Sequence, residues 1–168
     1  MVQPKNQAIH DEFLKAYDAL SDAIFRHCYY RCFDREHAKE LMQETFMKTW
    51  EKLAAGDEIL NLKAFLYRVA GNLVIDASRK KKAASLEAMA EVGFDPTGSG
   101  ATEIEHAAEA AAAVRHLQRV DEKYRQAVSL RYIEGMTPGE IASITGETEN
   151  AVSVRIHRGL AMLKEYVV

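Results

Sequence analysis

Thr137-Pro138-Gly139-Glu140-Ile141-Ala142-Ser143-Ile144-Thr145-Gly146-Glu147-Thr148-Glu149-Asn150-Ala151-Val152 holds a helix start, a helix stop and a second helix start in immediate succession. Thr137 with Glu140 three residues on makes a capping box, and Pro138 takes the first helical position, where its missing N–H and fixed φ cost nothing. Gly146 supplies the left-handed residue that follows a helix, and Thr148 caps the next one. In that second helix Val152, Ile156, Leu160 and Leu163 recur along one face. Asn150, Ser153, His157 and Arg158 fall on or beside the opposite face. The same spacing would serve an ordinary helical hairpin. Two short helices joined by a glycine turn also describe a helix-turn-helix, whose second helix enters a DNA major groove with its N-terminal residues nearest the base edges.

A chain of 168 residues, 48% of them hydrophobic, has room for one domain or two small ones with packed cores. No run of about 18 apolar residues exists to span a bilayer, and Met1 to Gln7 lacks a signal peptide's apolar core, so a cytoplasmic location is expected. The two cysteines, Cys28 and Cys32, sit four apart with His27 and His37 nearby. No second pair completes a ligand set, and they read as small buried hydrophobes; no metal and no cofactor is expected. The net charge of −3 argues against a uniformly basic nucleic-acid binder. Its distribution says more, because residues 61–82 hold 6 Lys/Arg against 1 Asp/Glu. Positive charge is therefore concentrated away from the helix-turn-helix, and the chain needs two functional surfaces.

From His10 to Phe33 the residues Phe13, Leu14, Tyr17, Leu20, Ile24, Phe25, Cys28 and Tyr29 keep helical spacing, as one helix or as two broken near Ser21. Asp34 caps a helix running to the Ala-Ala-Gly at Gly56, with Leu41, Met42, Phe46, Thr49, Trp50 and Leu53 in an apolar band and Glu40, Gln43, Glu44 and Glu51 mostly outside it. Taken alone, those acids describe a solvated face. Asn61 caps a third helix, whose core residues are Leu62, Phe65, Leu66, Val69, Leu73 and Ile75; it delivers Lys63, Arg68 and Arg79 to Lys82 to solvent as phosphate-neutralising charge on a rigid support. Residues 83–102 lose periodicity around Gly93-Phe94-Asp95-Pro96-Thr97-Gly98-Ser99-Gly100, which reads as a linker. Thr102 and Glu105 then open an Ala-rich helix edged by Val114, Leu117 and Val120. Asp121 caps another, Glu122 to Glu134, ended by Gly135. The fold expected is all-α, with two small helical domains at residues 8–83 and 104–168 joined by a flexible linker at 84–103.

The order of these parts resembles a bacterial RNA polymerase sigma factor of the small, extracytoplasmic-function type, over nearly the whole chain. The resemblance rests on Ala38 to Trp50 with its Gln43-Glu44-Thr45-Phe46, on Phe65 to Asp76, and on Tyr124-Arg125, Leu130-Arg131-Tyr132, Glu134-Gly135-Met136, Glu140-Ile141-Ala142 and Val152 to Arg158. It implies that Glu40, Gln43, Glu44, Phe46 and Trp50 face or support a grip on core RNA polymerase, against the solvated-face reading. It implies that Asn61, Lys63, Arg68, Asn72, Arg79, Lys80 and Lys81 hold the melted strand of a minus-ten element, where a flipped base needs hydrogen-bond donors and the backbone needs cations. The last helix would read a minus-thirty-five duplex through Asn150, Ser153, Arg155, His157 and Arg158. An anti-sigma factor is an implied further partner. Two departures stand out: Gly71 and Ser153 occupy positions where the family often carries a basic residue, and Glu147 and Glu149 flank the start of the recognition helix.

Promoter-specific initiation as a dissociable polymerase subunit follows, with no catalytic step of its own, since no nucleophile with a base, carboxylate pair or phosphate loop is in view. A free-standing helix-turn-helix regulator would not need the Gln43-Glu44 surface. A sigma-like protein-interaction module would not direct transcription with core polymerase.

Overall fold

Four of the described helices begin where a side chain accepts one of the first free N–H groups. The computed structural model describes residues 4–85 and 111–167, and every regular element among them is helical. Helix α1 spans Pro4–Cys32, α2 Arg35–Ala54 and α3 Leu62–Ser85. Residues 111–119 belong to α4; α5 spans Glu122–Tyr132, α6 Pro138–Thr145 and α7 Glu149–Val167. Asp34 accepts from the His37 N–H at 3.0 Å, Asn61 from Ala64 at 3.0 Å and Thr148 from Ala151 at 3.1 Å. Around α6 the capping box is complete: the Thr137 hydroxyl accepts from the Glu140 N–H, and the Glu140 carboxylate accepts from the Thr137 N–H at 2.8 Å. That bond holds the exposed Glu140 carboxyl below its usual pKa. Gly146, at φ 74°, stops α6 in the left-handed conformation.

Several expectations are corrected. Helix α1 is the unbroken one of the two alternatives, with no break at Ser21, but it starts well before His10. It ends at Cys32, followed by Phe33, whose φ of 54° is unusual for a residue with a side chain and whose N–H donates to the Tyr29 carbonyl at 2.7 Å. Asp121 stands at the start of α5, but its side chain makes no capping bond; its carbonyl accepts from Tyr124 and Arg125 instead. Helix α5 stops at Tyr132, two residues short of Glu134. Leu14 and Ile75 lie partly in solvent. Ile75 is two residues from Leu73, and residues two apart on a helix point to nearly opposite sides. Helix α3 runs to Ser85, past the expected end of the first domain, while the Thr102–Glu105 box and most of the expected linker lie outside the described residues.

Helices α1, α2 and α3 pack on one another, as do α5, α6 and α7, and α3 against α6 and α1 against α5 join the two groups. One hydrophobic cluster runs through both, from Ile24, Leu41, Phe46, Leu66 and Tyr67 to Leu130, Met136, Ile141, Val152 and Ile156. At Gly159 the close crossing of α7 over α5 leaves no room for a side chain: a Cβ there would stand 2.5 Å from Val128 Cγ2 and 3.2 Å from the Tyr124 carbonyl.

His27 is fully buried in this cluster, its ring 5.2 Å from that of Tyr67, and neither ring nitrogen has a protein hydrogen-bond partner. Desolvation, then the charge of Arg31, pushes its pKa down to about 3. Because the unfolded chain takes up this proton near pH 6.5 and the folded chain does not, stability is full above that pH and falls below it. Between pH 7.5 and 5.5 the loss through His27 should be about 1.4 kcal/mol. Urea denaturation at both pH values checks this, since His27→Leu should remove that part of the pH dependence; an unchanged difference between the two pH values would show that His27 is not the source.

Candidate functional site

The apolar band of α2 is turned inward and its acids outward. Leu41, Thr45, Phe46 and Thr49 are buried, whereas Glu40, Gln43 and Glu44 are exposed at three- and four-residue spacing, which puts them on one side of the helix. Phe46 faces the other way, with its ring 4.8 Å from that of Tyr17 and 6.0 Å from that of Phe13. Trp50 lies against Phe13 at 5.1 Å and His10 at 5.9 Å. The two aromatics hold α2 on α1 along the flank that Gln43 borders, Trp50 standing two turns beyond it, while the three polar residues form the outer surface. Glu44 is only loosely engaged, 3.8 Å from Lys48.

The cations of α3 do not form a single surface. Arg68, Asn72, Ile75 and Lys82 recur at four, seven and fourteen residues from Arg68 and line a cleft of about 900 Å³ between α3 and the C-terminal helices. Lys80 and Lys81 belong to the next face round, where with Asp76 they line a shallower cleft of about 710 Å³ opposite Glu36, Glu40 and Glu44 of α2. Lys63 and Asn61 stand at the start of α3 beside Glu140 and Ser143 of α6. Arg79 is exposed. Arg68 is already occupied: its Nη2 donates to the Ser143 carbonyl at 2.7 Å and its Nε to the Ile144 carbonyl at 3.3 Å. These are among the last carbonyls of α6, which have no partner within their own helix.

On α7 the residues Asn150, Ser153, His157 and Arg158 are exposed together, opposite buried Val152 and Ile156. Arg155 is set apart from them. It is ion-paired with Glu147 and turned toward the interhelical cleft, so one of the two acids at the start of the recognition helix is neutralised within the chain. The other, Glu149, is the first residue of α7, where a carboxylate suits the positive end of the helix dipole. Arg158 lies beside the Tyr124 hydroxyl and, with Lys123, holds its pKa below the usual value.

Lys82, already marked in the sequence as part of the basic helix end, shares the face of Arg68 and Asn72 at fourteen-residue spacing. Arg31 is buried under α3 and donates to Glu122 of α5 at 2.7 Å through Nε; no local signal marks it. Its Nη1 lies 3.2 Å from where a Gly71 side chain would begin, so the glycine gives this guanidinium its space. Cys28 is buried, with its thiol pKa pushed up to about 12 by desolvation, and the Cys32 thiol donates to the Asp34 carbonyl at 3.4 Å. No helix among the described residues is long and apolar enough to cross a membrane.

Residues 16–84 match the model of Sigma-70 region 2 and residues 111–163 that of Sigma-70 region 4. The chain is 27% identical over 165 residues to the ECF RNA polymerase sigma factor SigW of Bacillus subtilis, covering 92% of this chain and 88% of SigW. It is also 27% identical over 160 residues to the ECF RNA polymerase sigma factor BldN of Streptomyces coelicolor, covering 91% of this chain and 59% of BldN. Its fold is similar to that of RpoE in the co-crystal structure with the anti-sigma factor NepR from Bartonella quintana, with a TM-score of 0.74 at 21% identity over 93% of this chain and 96% of that one. It is similar too to CnrH in complex with the cytosolic domain of CnrY, with a TM-score of 0.70 at 22% identity over 97% and 94%. With region 2 on α1 to α3 and region 4 on α4 to α7, in the family's order and over most of its length, the chain belongs to the extracytoplasmic-function sigma factors of the sigma-70 family.

Proposed function

We propose that this sigma factor docks on core RNA polymerase through the outer face of α2 and directs it to a promoter read in two parts. Glu40, Gln43 and Glu44 present the docking surface, and Phe46 and Trp50 keep α2 in place beside it. Arg68, Asn72 and Arg79, with Asn61 and Lys63 at the start of α3 and Lys80 and Lys81 near its end, hold the melted strand of the minus-ten element. Asn150, Ser153, His157 and Arg158 read the minus-thirty-five duplex; Arg155, tied to Glu147, positions and does not read. The working units are residues 8–83 and 104–168, connected by 84–103, and the protein acts in the cytoplasm with no chemical step of its own. The observation that carries this is the paired match to regions 2 and 4. RpoE, whose fold this chain shares, is bound to the anti-sigma factor NepR, which supports a regulator of the same kind here.

Run-off transcription with core polymerase across a promoter library tests the proposal. Transcripts from a defined subset of promoters are expected, and none above core polymerase alone would overturn it. Within that subset, substituting Asn150 or Ser153 should change which upstream base pairs are preferred, with about 1–3 kcal/mol of discrimination at stake for a good base contact. Uniform weakening on every promoter would instead assign these residues to phosphate positioning.

A further inference from the structure

Three side-chain nitrogens converge on the room that Gly71 leaves in α3. A Cβ at this position would lie 3.2 Å from Arg31 Nη1, 3.5 Å from Gln126 Nε2 and 3.9 Å from His27 Nε2. Arg31 Nη1 and both His27 ring nitrogens are buried and have no hydrogen-bond partner among the described residues. The Arg31 side chain is 1% exposed, and its Nε and Nη2 are already committed to Glu122, so the unused donors are those of Nη1. A buried donor without an acceptor is costly, the more so on a charged guanidinium.

The recess opens into the cleft of about 900 Å³, which Arg31, Gly71 and Gln126 all line. The walls add Lys82 of α3 and Lys123 of α5, while the acids Glu122 and Glu147 are each neutralised by an arginine. The side chain of Asp121 makes no capping bond, so the positive end of the α5 dipole borders the cleft uncapped. Ile75 and Ile144 supply apolar wall. A matching ligand must bring acceptors to the recess, negative charge to the lysines and an apolar body to the isoleucines.

We infer that this cleft is a binding site for a small phosphomonoester of nucleotide size, its terminal phosphate at the Gly71 recess and its body beside Ile75 and Ile144. A phosphate dianion brings acceptors only, and it answers the Arg31 donors without asking for a donor in return. The phosphate has to be a terminal one, because a phosphodiester within a strand carries a substituent on both sides and cannot enter a recess whose floor is buried. The volume of the cleft lies in the range of small-molecule sites. Gly71 is the opening to the donors, and any larger side chain would close it.

Isothermal titration of the full chain with ADP, pyrophosphate and inorganic phosphate is the test. ADP should bind one to one and more tightly than inorganic phosphate, because only ADP reaches both the recess and the apolar wall. Gly71→Ala should weaken ADP binding by about tenfold or more, since the methyl group covers the Arg31 donor. The melting temperature of the ligand-free variant should be kept or raised, alanine being the better helix former. Lys82→Ala and Lys123→Ala change exposed residues, and each should weaken ADP severalfold with the fold intact, which keeps the test open if Gly71→Ala disturbs α3. No binding of ADP at millimolar concentration, or binding that all three substitutions leave unaltered, overturns the inference. So does equal displacement of ADP by a single-stranded oligonucleotide without terminal phosphates, which would give the cleft to a nucleic-acid strand.

Discussion

Glu44→Lys is expected to abolish stable association with core polymerase while leaving the helices intact. Glu44 is exposed on the side of α2 that carries Glu40 and Gln43, and its one ionic neighbour among the described residues, Lys48, is a solvent-exposed residue 3.8 Å away. Such a surface pair contributes little to folding, typically below about 1 kcal/mol. A charge paired across an interface is another matter, because its replacement leaves the partner buried and unmatched at a cost of about 2–5 kcal/mol. That range corresponds to a loss of roughly 30-fold to several thousand-fold in affinity. Reversing the sign adds repulsion, so the upper part of the range applies. Anisotropy with core polymerase measures the loss, circular dichroism checks the fold, and full affinity in Glu44→Lys would reduce the patch to solvated surface.

Gly159→Val should be the most damaging single change in the C-terminal helices. The new side chain would begin 2.5 Å from Val128 Cγ2 and 3.2 Å from a backbone carbonyl, and the second of these cannot move without shifting α5. Helix propensity favours valine over glycine by only a few tenths of a kcal/mol, far less than the overpacking costs, which reaches about 3 kcal/mol for a β-branched side chain in so tight a crossing. In a chain of this length that lowers the melting temperature by about 6–12 °C. Val128→Ala in the same chain should recover part of the loss, since the two positions share one space. Melting at the wild-type temperature would refute the tight crossing of α5 and α7.

The helix-turn-helix was fully legible because its determinants are local: Thr137, Pro138, Glu140, Gly146 and Thr148 each act on backbone groups within four residues. The acids and aromatics of α2 separated cleanly by period for the same reason. What could not be read is pairing across the chain. Arg26 and Glu134 are 108 residues apart and Arg68 and Ser143 are 75 apart, and nothing in the spacing of either segment names the other. Gly71 was therefore a puzzle in sequence, a helix interior giving up as much as about 1 kcal/mol relative to alanine. Its explanation is Arg31, a residue on another helix. Arg155, named only through the family resemblance, has a partner that no helix period indicates, the Glu147 carboxylate beside it.

The two groups of helices that share one hydrophobic cluster are also joined covalently through residues 86–110. A short connection of that kind holds each group at an effective concentration near the millimolar range seen by the other. An interface that would barely register between separate molecules, with a dissociation constant of about 1 mM or a free energy of about −4 kcal/mol, then suffices to keep half the population closed. Cutting the chain between the groups would remove that advantage, and at micromolar concentration the two pieces would drift apart unless their mutual affinity were far higher.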